Sequence, residues 1–308
     1  MGETLVHGEK LFFTGRVHRN AAHTLPNAIF EHDLKNGKTK LLTTSIHGEE
    51  GVVCCLDASD HWLVWLTYLE WGGLWRVCVK NLDTGKKVVL DKQEEANVKT
   101  MSRGPYAAVW GDKVVWSSPR TTKEGQLISV IMVEDLETGV KRIITSSSWP
   151  EAMGYVDIYE DEVVWSKGSR VDGKPKANVF SYNLSSDELK QVTLDDVSGQ
   201  PQIWGKWLVW RQGFGDHGPI IIENRRNGRR YMLSDKGRWL RLGDGLLVFI
   251  GEDEREYVYD IERNSIQRLP FLGSSVYGRD VSFVHLEGQR MKDLMNSPAI
   301  IEVRRYER

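Results

Sequence analysis

Short apolar runs alternate with tight polar turns along most of the chain, and one arrangement recurs. In VWGDKVVWSS, from Val109, an aromatic residue precedes a polar turn, and an apolar run then ends in a second aromatic residue. Similar stretches are LVHGEKLFFTG from Leu5, IYEDEVVWSK from Ile158, IWGKWLVWRQ from Ile203 and VYGRDVSFVH from Val276. β-branched and aromatic runs around such turns are typical of antiparallel β-hairpins.

A second hairpin pattern follows the first in each repeat. Examples are IFEHDLKNGKTKLLT from Ile29, VCVKNLDTGKKVVL from Val77 and VIMVEDLETGVKRIIT from Val130. Their turns carry Asp or Asn side chains that hydrogen-bond local backbone, and a glycine that can adopt positive φ. Two hairpins provide four strands, so the sequence predicts a repeating four-stranded antiparallel unit.

The aromatic residue that ends the first hairpin measures the repeat. It occurs at Phe13, Trp65, Trp116, Trp165, Trp210, Phe249 and Phe283. These intervals are close to the roughly 40 to 50 residues of four-stranded propeller blades. We therefore predict an all-β fold, a single seven-bladed β-propeller over residues 1–308, with blades at about 4–44, 50–90, 104–146, 154–194, 200–234, 238–269 and 274–308. The final unit offers three strands before Arg308, so we expect a three-stranded last blade with an open edge.

The pairing of WGDKVVW with DLETGVKRIIT resembles the TolB-like, WD40-like propeller repeats of bacterial periplasmic and archaeal surface-layer proteins. The resemblance extends over nearly the whole chain and concerns the fold. The Gly-His and Trp-Asp signature of WD40 blades and the double glycines of kelch blades do not occur in these repeats. The resemblance implies a propeller, and a shared fold by itself says little about activity.

Charge and hydropathy restrict the classes of partner. The 41 basic residues nearly balance the 43 acidic ones and give a formal net charge of −2, which disfavours nucleic acid as a partner. No apolar run approaches the roughly 18 to 20 residues of a membrane helix, and no signal peptide is recognisable after Met1. We expect a protein without a membrane span that is cytoplasmic by default, with a virion or non-classical export left open.

The three cysteines indicate no metal or redox motif. Adjacent Cys54 and Cys55 on a strand would project from opposite faces, so a bridge between them is not expected. Together with Cys78 they are interpreted as free thiols, and no CxxC pair is present. We expect no cofactor and can name no metal ligand set.

The long, dissimilar segments occur where one hairpin leads to the next. In a propeller the turns within hairpins lie on one face, the turn face. The links between hairpins and between blades lie on the other, which we call the link face. Variable loops on a rigid scaffold are a common way to build a binding surface. The link face is therefore the predicted functional surface.

Aromatic and basic residues of the links are the candidate binding residues. Tryptophans beside glycines in loops suit sugar stacking or a protein hot spot, although packing back over the blade is the alternative. The arginines would give the face a basic side near blades one, three and four, opposite an acidic link in blade six. The candidates are Trp71, Trp75, Trp149, Arg16, Arg19, Arg120 and Arg170.

An enzymatic alternative uses histidines of the same face. A lyase acting on acidic polysaccharide needs a base that removes a proton and a cation that neutralises the neighbouring carboxylate. His18, His217 or His285 could be the base, and Arg16 or Arg120 the neutraliser. No nucleophile elbow, HExxH, Walker loop or dinucleotide fingerprint is present in the sequence.

The sequence therefore favours a non-catalytic binding or structural propeller over an enzyme. Its expected partner is a protein or a glycan, held by the link face, and the protein could belong to a larger assembly such as a virion or a surface structure. A second copy of the chain or a capping partner could cover the open edge of the last blade. The alternative is a lyase or hydrolase of acidic polysaccharide.

Overall fold

The computed structural model describes residues 4–15, 25–45, 51–69, 74–93, 105–269, 275–277, 280–286 and 299–305. Side chains are described up to residue 269, apart from those of residues 234 and 235. Every regular element in this part of the chain is a β-strand. None of the described residues forms a helix that is long and apolar enough to cross a membrane.

Four sheets have four strands each, and every strand pairs antiparallel with its neighbour in sequence. The first contains β1 (Thr4–His7), β2 (Lys10–Gly15), β3 (Ala28–Asp33) and β4 (Thr39–Thr44). The second contains β5 (Gly51–Ala58), β6 (Trp62–Leu69), β7 (Trp75–Asn81) and β8 (Lys87–Gln93). The third contains β9 (Ala107–Trp110), β10 (Lys113–Thr121), β11 (Leu127–Asp135) and β12 (Lys141–Ser148). The fourth contains β13 (Ala152–Tyr159), β14 (Glu162–Val171), β15 (Lys174–Asn183) and β16 (Glu188–Gln191).

The remaining strands form a seven-stranded and a three-stranded sheet. The seven-stranded sheet contains β17 (Ser198–Trp204), β18 (Trp207–Gln212), β19 (Gly218–Asn224), β20 (Arg229–Leu242), β21 (Leu246–Gly251), β22 (Glu256–Asp260) and β23 (Ser265–Arg268). The three-stranded sheet contains β24 (Ser275–Tyr277), β25 (Asp280–Leu286) and β26 (Ala299–Arg305). The predicted all-β class and its four-stranded antiparallel units are thus confirmed.

The first strands of successive units lie side by side. β5 contacts β1, β9 contacts β5, β13 contacts β9, β17 contacts β13, β20 contacts β17 and β24 contacts β20. β24 also lies against β1. These strands surround a common space, which we call the axial channel.

The repeated aromatic residues form the core between neighbouring sheets. Trp116, Trp165, Trp210 and Phe249 have almost no solvent contact. Trp116, for example, packs among Val64, Val77 and Leu90 of the second sheet. From the second to the sixth repeat, the aromatic residue therefore packs between its own unit and the one before it, which explains why the sequence repeats this position so regularly.

The predicted boundary between blades five and six, at residues 235–237, does not interrupt the chain's strand structure. β20 pairs with β19 through its first part and with β21 through its second part. Gly237 lies at the crossing, opposite Gly218 on one side and Gly251 on the other. A Cβ atom at Gly237 would lie 2.6 Å from a ring carbon of Phe249 and 2.8 Å from Ile220 Cδ1. Glycine therefore allows one continuous strand to pass from one unit to the next.

Four first strands contain a β-bulge that the sequence pattern does not predict. The pairing shifts after Cys54 in β5, Gly154 in β13, Gly199 in β17 and Arg238 in β20. Each bulge includes a non-glycine residue with positive φ, at 57° for Cys55, 47° for Tyr155, 55° for Gln200 and 58° for Trp239. Because these positions carry ordinary side chains, the usual glycine signal of a bulge is missing.

The first bulge overturns one expectation for the cysteines. On a regular strand Cys54 and Cys55 would project from opposite faces, but the positive φ of Cys55 brings their Sγ atoms within 3.2 Å. Neither forms a disulfide in the structure, and nor does buried Cys78. Local backbone geometry, and not the alternation of the strand, sets the direction of these side chains.

Candidate binding surface and axial channel

The link face carries most of the exposed aromatic surface of the described side chains. Trp149, between β12 and β13, is 54% exposed, and Phe214, between β18 and β19, is 47% exposed. Trp239 is 61% exposed. The residue before it, Arg238, pairs with Ile250, which is near the end of β21 that leads into the next link. The other comparably exposed aromatic residue is Tyr231 in the outer part of β20.

The backbone holds Trp149 in a fixed position. Its N–H donates to the carbonyl oxygen of Leu127 at 3.0 Å, and the N–H of Glu151 donates to that of Ser148 at 3.0 Å. An exposed ring on a hydrogen-bonded turn loses little freedom when it binds, which favours its use as an anchor. The predicted place of Trp149 in a link is thus confirmed, whereas its binding role stays a prediction.

Trp75 does not have the position that the sequence predicted. It is the first residue of strand β7 and only 4% exposed, and it packs in the core between the second and third sheets. Its indole Nε1–H donates to Gln93 Oε1 at 3.1 Å on the adjacent strand β8. Trp75 is therefore a packing residue, because the strand begins earlier than the glycines before it suggested.

Arg120 belongs to β10 and joins two sheets. Its Nη2 donates to Asp91 Oδ2 at 2.6 Å, and the same oxygen accepts the Nε1–H of Trp116 at 2.8 Å. Asp91 is on β8, so this contact links the third sheet to the second. One hydrogen bond from Nη2 therefore holds the guanidinium at Asp91, and its buried Nε has no hydrogen-bond partner among the described residues.

Arg170 is exposed near the end of a regular hairpin. Strands β14 and β15 continue to a tight turn at Asp172 and Gly173, so the predicted link around Arg170 is mostly strand. Its guanidinium pairs with no carboxylate among the described residues. Arg170 is therefore available to a partner at the edge of the link face.

His217 forms part of a local ion-pair network. Its Nε2 lies 3.4 Å from Glu254 Oε1, while Arg238 donates to the other oxygen of Glu254. The loop before His217 is fixed by Arg211, whose Nη1 donates to the carbonyl oxygens of Gly215 at 2.5 Å and Asp216 at 2.8 Å. These contacts tie the link of β18 and β19 to that of β21 and β22.

The side chains of the remaining candidates are not among those described. Four of these candidates lie outside the described residues altogether, namely Trp71, Arg16, Arg19 and His18. His285 lies in β25, but its side chain is not described. Their proposed roles stay predictions.

The predicted contrast between a basic and an acidic side of the link face is weakened by local pairing. Lys167 lies 2.6 Å from Glu151, and Lys176 lies 2.6 Å from Asp196. On the acidic side, Lys236 lies 3.2 Å from Glu252. Opposite charges within each link therefore neutralise much of the field that the sequence suggested.

A second group of functional candidates lies in the axial channel and was missed from the sequence. Asp57, Asp157, Gln202 and Arg241 occupy the same register position, just after the bulges of β5, β13, β17 and β20. Each pairs with the valine that precedes the repeated aromatic residue, namely Val64, Val164, Val209 and Val248. Aligning the residue opposite this valine in every unit would have been the signal that identifies them.

The two aspartates bridge neighbouring first strands. Asp57 Oδ2 accepts the N–H of Val109 at 2.8 Å, and Asp157 Oδ2 accepts the N–H of Ile203 at 2.8 Å. Each Oδ1 accepts the N–H of the next residue, Ala58 or Ile158, at 2.9 Å. The carboxylates thus supply acceptors that first strands in adjacent units do not give each other.

Burial has the largest effect on the pKa values of the two aspartates. It raises the pKa of Asp157 to about 8, with a further contribution from the negative charge of Asp57, and it raises the pKa of Asp57 to about 6. The positive charge of Arg241 opposes the rise of the pKa at both carboxyls. Groups from the second sheet, the fourth sheet and β20 influence one another in this way because they face the same part of the channel.

Three aromatic side chains meet at the turn-face end of the channel. Trp110, Tyr159 and Trp204 come two residues after Ala108, Asp157 and Gln202, at the ends of β9, β13 and β17. The ring centroids of Trp110 and Tyr159 are 4.2 Å apart, and those of Trp110 and Trp204 are 5.0 Å apart in an edge-to-face arrangement. Since β13 lies between β9 and β17, contact between the two tryptophans brings side chains of three units together at this end of the first strands. We call this group the aromatic floor.

Comparison with known proteins identifies the fold. No protein-family model and no curated protein sequence matches the chain. The β-propeller domain of the trilobed protease from Pyrococcus furiosus is similar with a TM-score of 0.64 at 11% sequence identity, over 99% of this chain and 95% of that one. An oligogalacturonate lyase in complex with manganese has a TM-score of 0.59 at 15% identity, over 96% and 85%. TolB from Acinetobacter baumannii has a TM-score of 0.52 at 12% identity, over 81% and 61%.

These identities are low enough that the likeness concerns the fold alone. The predicted resemblance to TolB-like propellers is confirmed at that level. The chain is an all-β protein with a β-propeller fold that resembles those of TolB and the trilobed protease.

Proposed function

We propose that the protein is a non-catalytic binding or structural propeller that engages a protein or glycan partner through its link face. The observation that carries this proposal is the exposure of Trp149, Phe214 and Trp239 at that face. Leu194, in the link between β16 and β17, adds a further exposed apolar side chain. Aromatic side chains at protein and glycan interfaces supply much of the binding free energy, because they bury a large area at a small cost in side-chain entropy.

The surroundings of these aromatic residues also suit an interface. Arg170 is exposed and pairs with no carboxylate among the described residues, and the paired charges of Lys167 and Lys176 provide polar groups at the rim. An apolar centre with a polar, solvent-accessible rim is the usual composition of a protein interface. The same combination of rings and polar side chains suits a glycan, whose sugar rings have apolar faces and hydroxylated edges.

The proposal includes the finer architecture. We take the first strands of the units as the inner strands of seven blades, with the predicted blade bounds adjusted where β20 serves two of them. β24, β25 and β26 would be the three-stranded blade, and the free side of β26 would be a second contact for a partner or another copy of the chain. Such an edge can accept one further strand.

The alternative of a polysaccharide lyase has less support from the described residues. His217 contacts Glu254 and Arg120 contacts Asp91, and no hydrogen bond or ion pair joins His217 to Arg120 in the described part of the chain. A lyase site needs its base and its neutralising cation around one substrate carbon. Two residues with separate carboxylate partners do not offer that arrangement.

The test compares a double variant at the link face with a matched control. Trp149→Ala/Phe214→Ala removes two anchors, whereas Val140→Ala/Leu189→Ala removes exposed apolar side chains from the turn face and an outer strand. Each protein is used for capture from lysate of its source and for a glycan array, and the affinity for any ligand retained by the wild type is then titrated. The proposal predicts that the link-face variant binds at least about tenfold more weakly, equivalent to about 1.4 kcal/mol, and that the control binds like the wild type.

Equal binding by the wild type and the link-face variant would contradict the proposal. So would the release of unsaturated sugars from acidic polysaccharide, which would favour the lyase. Circular dichroism and thermal unfolding of both variants establish that a loss of binding is not a loss of folding.

A further inference from the structure

The axial channel combines opposite charges in one layer, which we call the charged layer. Asp57, Asp157 and Arg241 come from the second sheet, the fourth sheet and the second part of β20, and all three have the same register position. Each is partly exposed, although it lies on a first strand. Since the first strands enclose the channel, this exposure faces the channel and not the outer surface.

Arg241 has donors that the described residues do not use. Its one hydrogen bond there is a long one, from Nη1 to the carbonyl oxygen of Leu240 at 3.3 Å. No ion pair within 4.0 Å joins it to Asp57 or Asp157 among the described residues. A guanidinium has five N–H donors in a planar arrangement that suits a carboxylate, so Arg241 presents an open site for an anionic group.

The two aspartates of the layer offer acceptors. Each carboxyl oxygen of Asp57 and Asp157 accepts one backbone N–H and can accept a further hydrogen bond. In the bulge of β17, the side-chain Oε1 of Gln200 is buried and has no hydrogen-bond partner in the described part of the chain. A ligand with ammonium or hydroxyl protons would satisfy such acceptors.

The ends of the channel differ. The aromatic floor lies two residues beyond the charged layer on the turn-face side. On the link-face side Trp239, two residues before Arg241 on the same strand, keeps an exposed ring. A molecule entering from the link face would therefore pass Trp239 before it reaches the charges.

We infer that the axial channel binds a small zwitterion of the α-amino acid class, with its carboxylate on Arg241 and its ammonium group between Asp57 and Asp157. A simple anion would meet two carboxylates, and a simple cation would meet the guanidinium, so a ligand with both charges fits the layer best. Burial raises the pKa of Asp157 to about 8, so near pH 7 this carboxyl is mostly protonated in the unliganded channel, and an ammonium group beside it would favour its ionised form. This inference goes beyond the proposed function and does not depend on it.

Isothermal titration calorimetry and thermal unfolding with the free amino acids test the inference. We expect at least one amino acid to bind with a Kd below the millimolar range and to raise the Tm of the wild-type protein. Its N-acetyl derivative and its amide each lack one of the two charges, and we expect each to bind at least tenfold more weakly. These analogues test the wild-type protein itself, so the result does not depend on whether a variant folds.

Variants assign the ligand to the channel. Arg241→Gln removes the proposed carboxylate partner and should abolish binding, whereas Arg226→Gln changes an exposed arginine of the turn between β19 and β20 and should leave binding unchanged. Trp149→Ala/Phe214→Ala should also bind the amino acid normally, which separates this site from the link face. The inference would be overturned if no free amino acid bound at millimolar concentration, if the singly charged analogues bound equally well, or if folded Arg241→Gln retained the affinity.

Discussion

Asp157 illustrates how one residue can serve the fold at an electrostatic cost. Its carboxyl accepts two backbone N–H groups, yet burial and the neighbouring Asp57 oppose its negative charge. A carboxyl with a pKa of about 8 in the folded protein and about 4 in the unfolded chain holds its proton more strongly when folded. Its contribution to stability is therefore greatest at low pH and is lost as the pH rises through this window.

We predict that Asp157→Asn makes the stability of the protein less dependent on pH. Asparagine remains neutral and can still accept one backbone N–H, so the variant should not share the loss that the wild type suffers between pH 6 and 8. The difference in the free energy of unfolding between the two proteins should change by about 1–2 kcal/mol over this range. Urea unfolding at both pH values measures it.

The matched control is Asp187→Asn. The Asp187 carboxyl is exposed, and hydrogen bonds from Tyr182 and Arg142 lower its pKa, so it stays ionised throughout the range. Its substitution should change stability by the same amount at both pH values. If Asp157→Asn also changes stability by the same amount at both pH values, the raised pKa of Asp157 is wrong.

Asp91 provides an acceptor that two side chains of the third sheet share. Asp91 Oδ2 accepts hydrogen bonds from Trp116 and Arg120, and Trp116 is fully buried. Asp91→Ala should destabilise the protein by about 2–3 kcal/mol, because it leaves a buried indole N–H and a guanidinium without their acceptor. Denaturant unfolding measures the loss, and a cost below about 0.5 kcal/mol, the range of ordinary surface substitutions, would show that the contact is not stabilising.

Single residues also show where sequence interpretation succeeds and where it fails. Trp149 was assigned correctly to a link, since proline and polar residues surround it. Trp75 was assigned to a link as well, because adjacent glycines obscured the start of β7. The bulge residues Cys55 and Trp239 gave no signal, since positive φ at a non-glycine residue is imposed by pairing with the neighbouring strand.

At the scale of the element, β20 is the least regular part of the architecture. Most units are separated by a link, but β20 leaves one unit and enters the next without interruption. Tight approach at Gly237 makes this crossing possible, since a Cβ there would lie 2.6 Å from a ring carbon of Phe249 and 2.8 Å from Ile220 Cδ1. The blade bounds predicted from the sequence had placed a boundary at residues 235–237.

We predict that Gly237→Ala destabilises the protein by about 1–3 kcal/mol, the usual cost of inserting a methyl group into a packed site. The added carbon would overlap with Phe249 and Ile220, which are both buried. Gly199→Ala is the control, because its Cβ would make an ordinary contact of 3.8 Å with Ser166 Cβ. Thermal and urea unfolding of both variants compare the two sites, and equal stability would contradict the close approach at the crossing.

For the whole molecule, local patterns predicted the fold well. Each hairpin depends on its own apolar runs and turn residues, and the aromatic residue of the second to sixth repeats packs against the preceding unit. The charged layer and the aromatic floor were not predicted, because Asp57, Asp157 and Arg241 are far apart in sequence. They share one space only because the first strands are arranged around a common axis.

The same arrangement separates two surfaces with different chemistry. The link face exposes Trp149, Phe214 and Trp239, the proposed anchors for a large partner, whereas the charged layer lies deeper between the first strands. Substitutions at the face should therefore alter partner binding without altering the channel, and Arg241→Gln should do the reverse.

Hydrogen–deuterium exchange with a partner retained by the wild-type protein would test the central claim most directly. We predict slower exchange in peptides that cover residues 149–151, 213–217 and 238–242. Exchange should be unchanged in the turn-face segments 136–140, 184–187 and 225–228. Protection confined to the turn-face segments, or to the outer strands, would contradict the assignment of the binding surface to the link face.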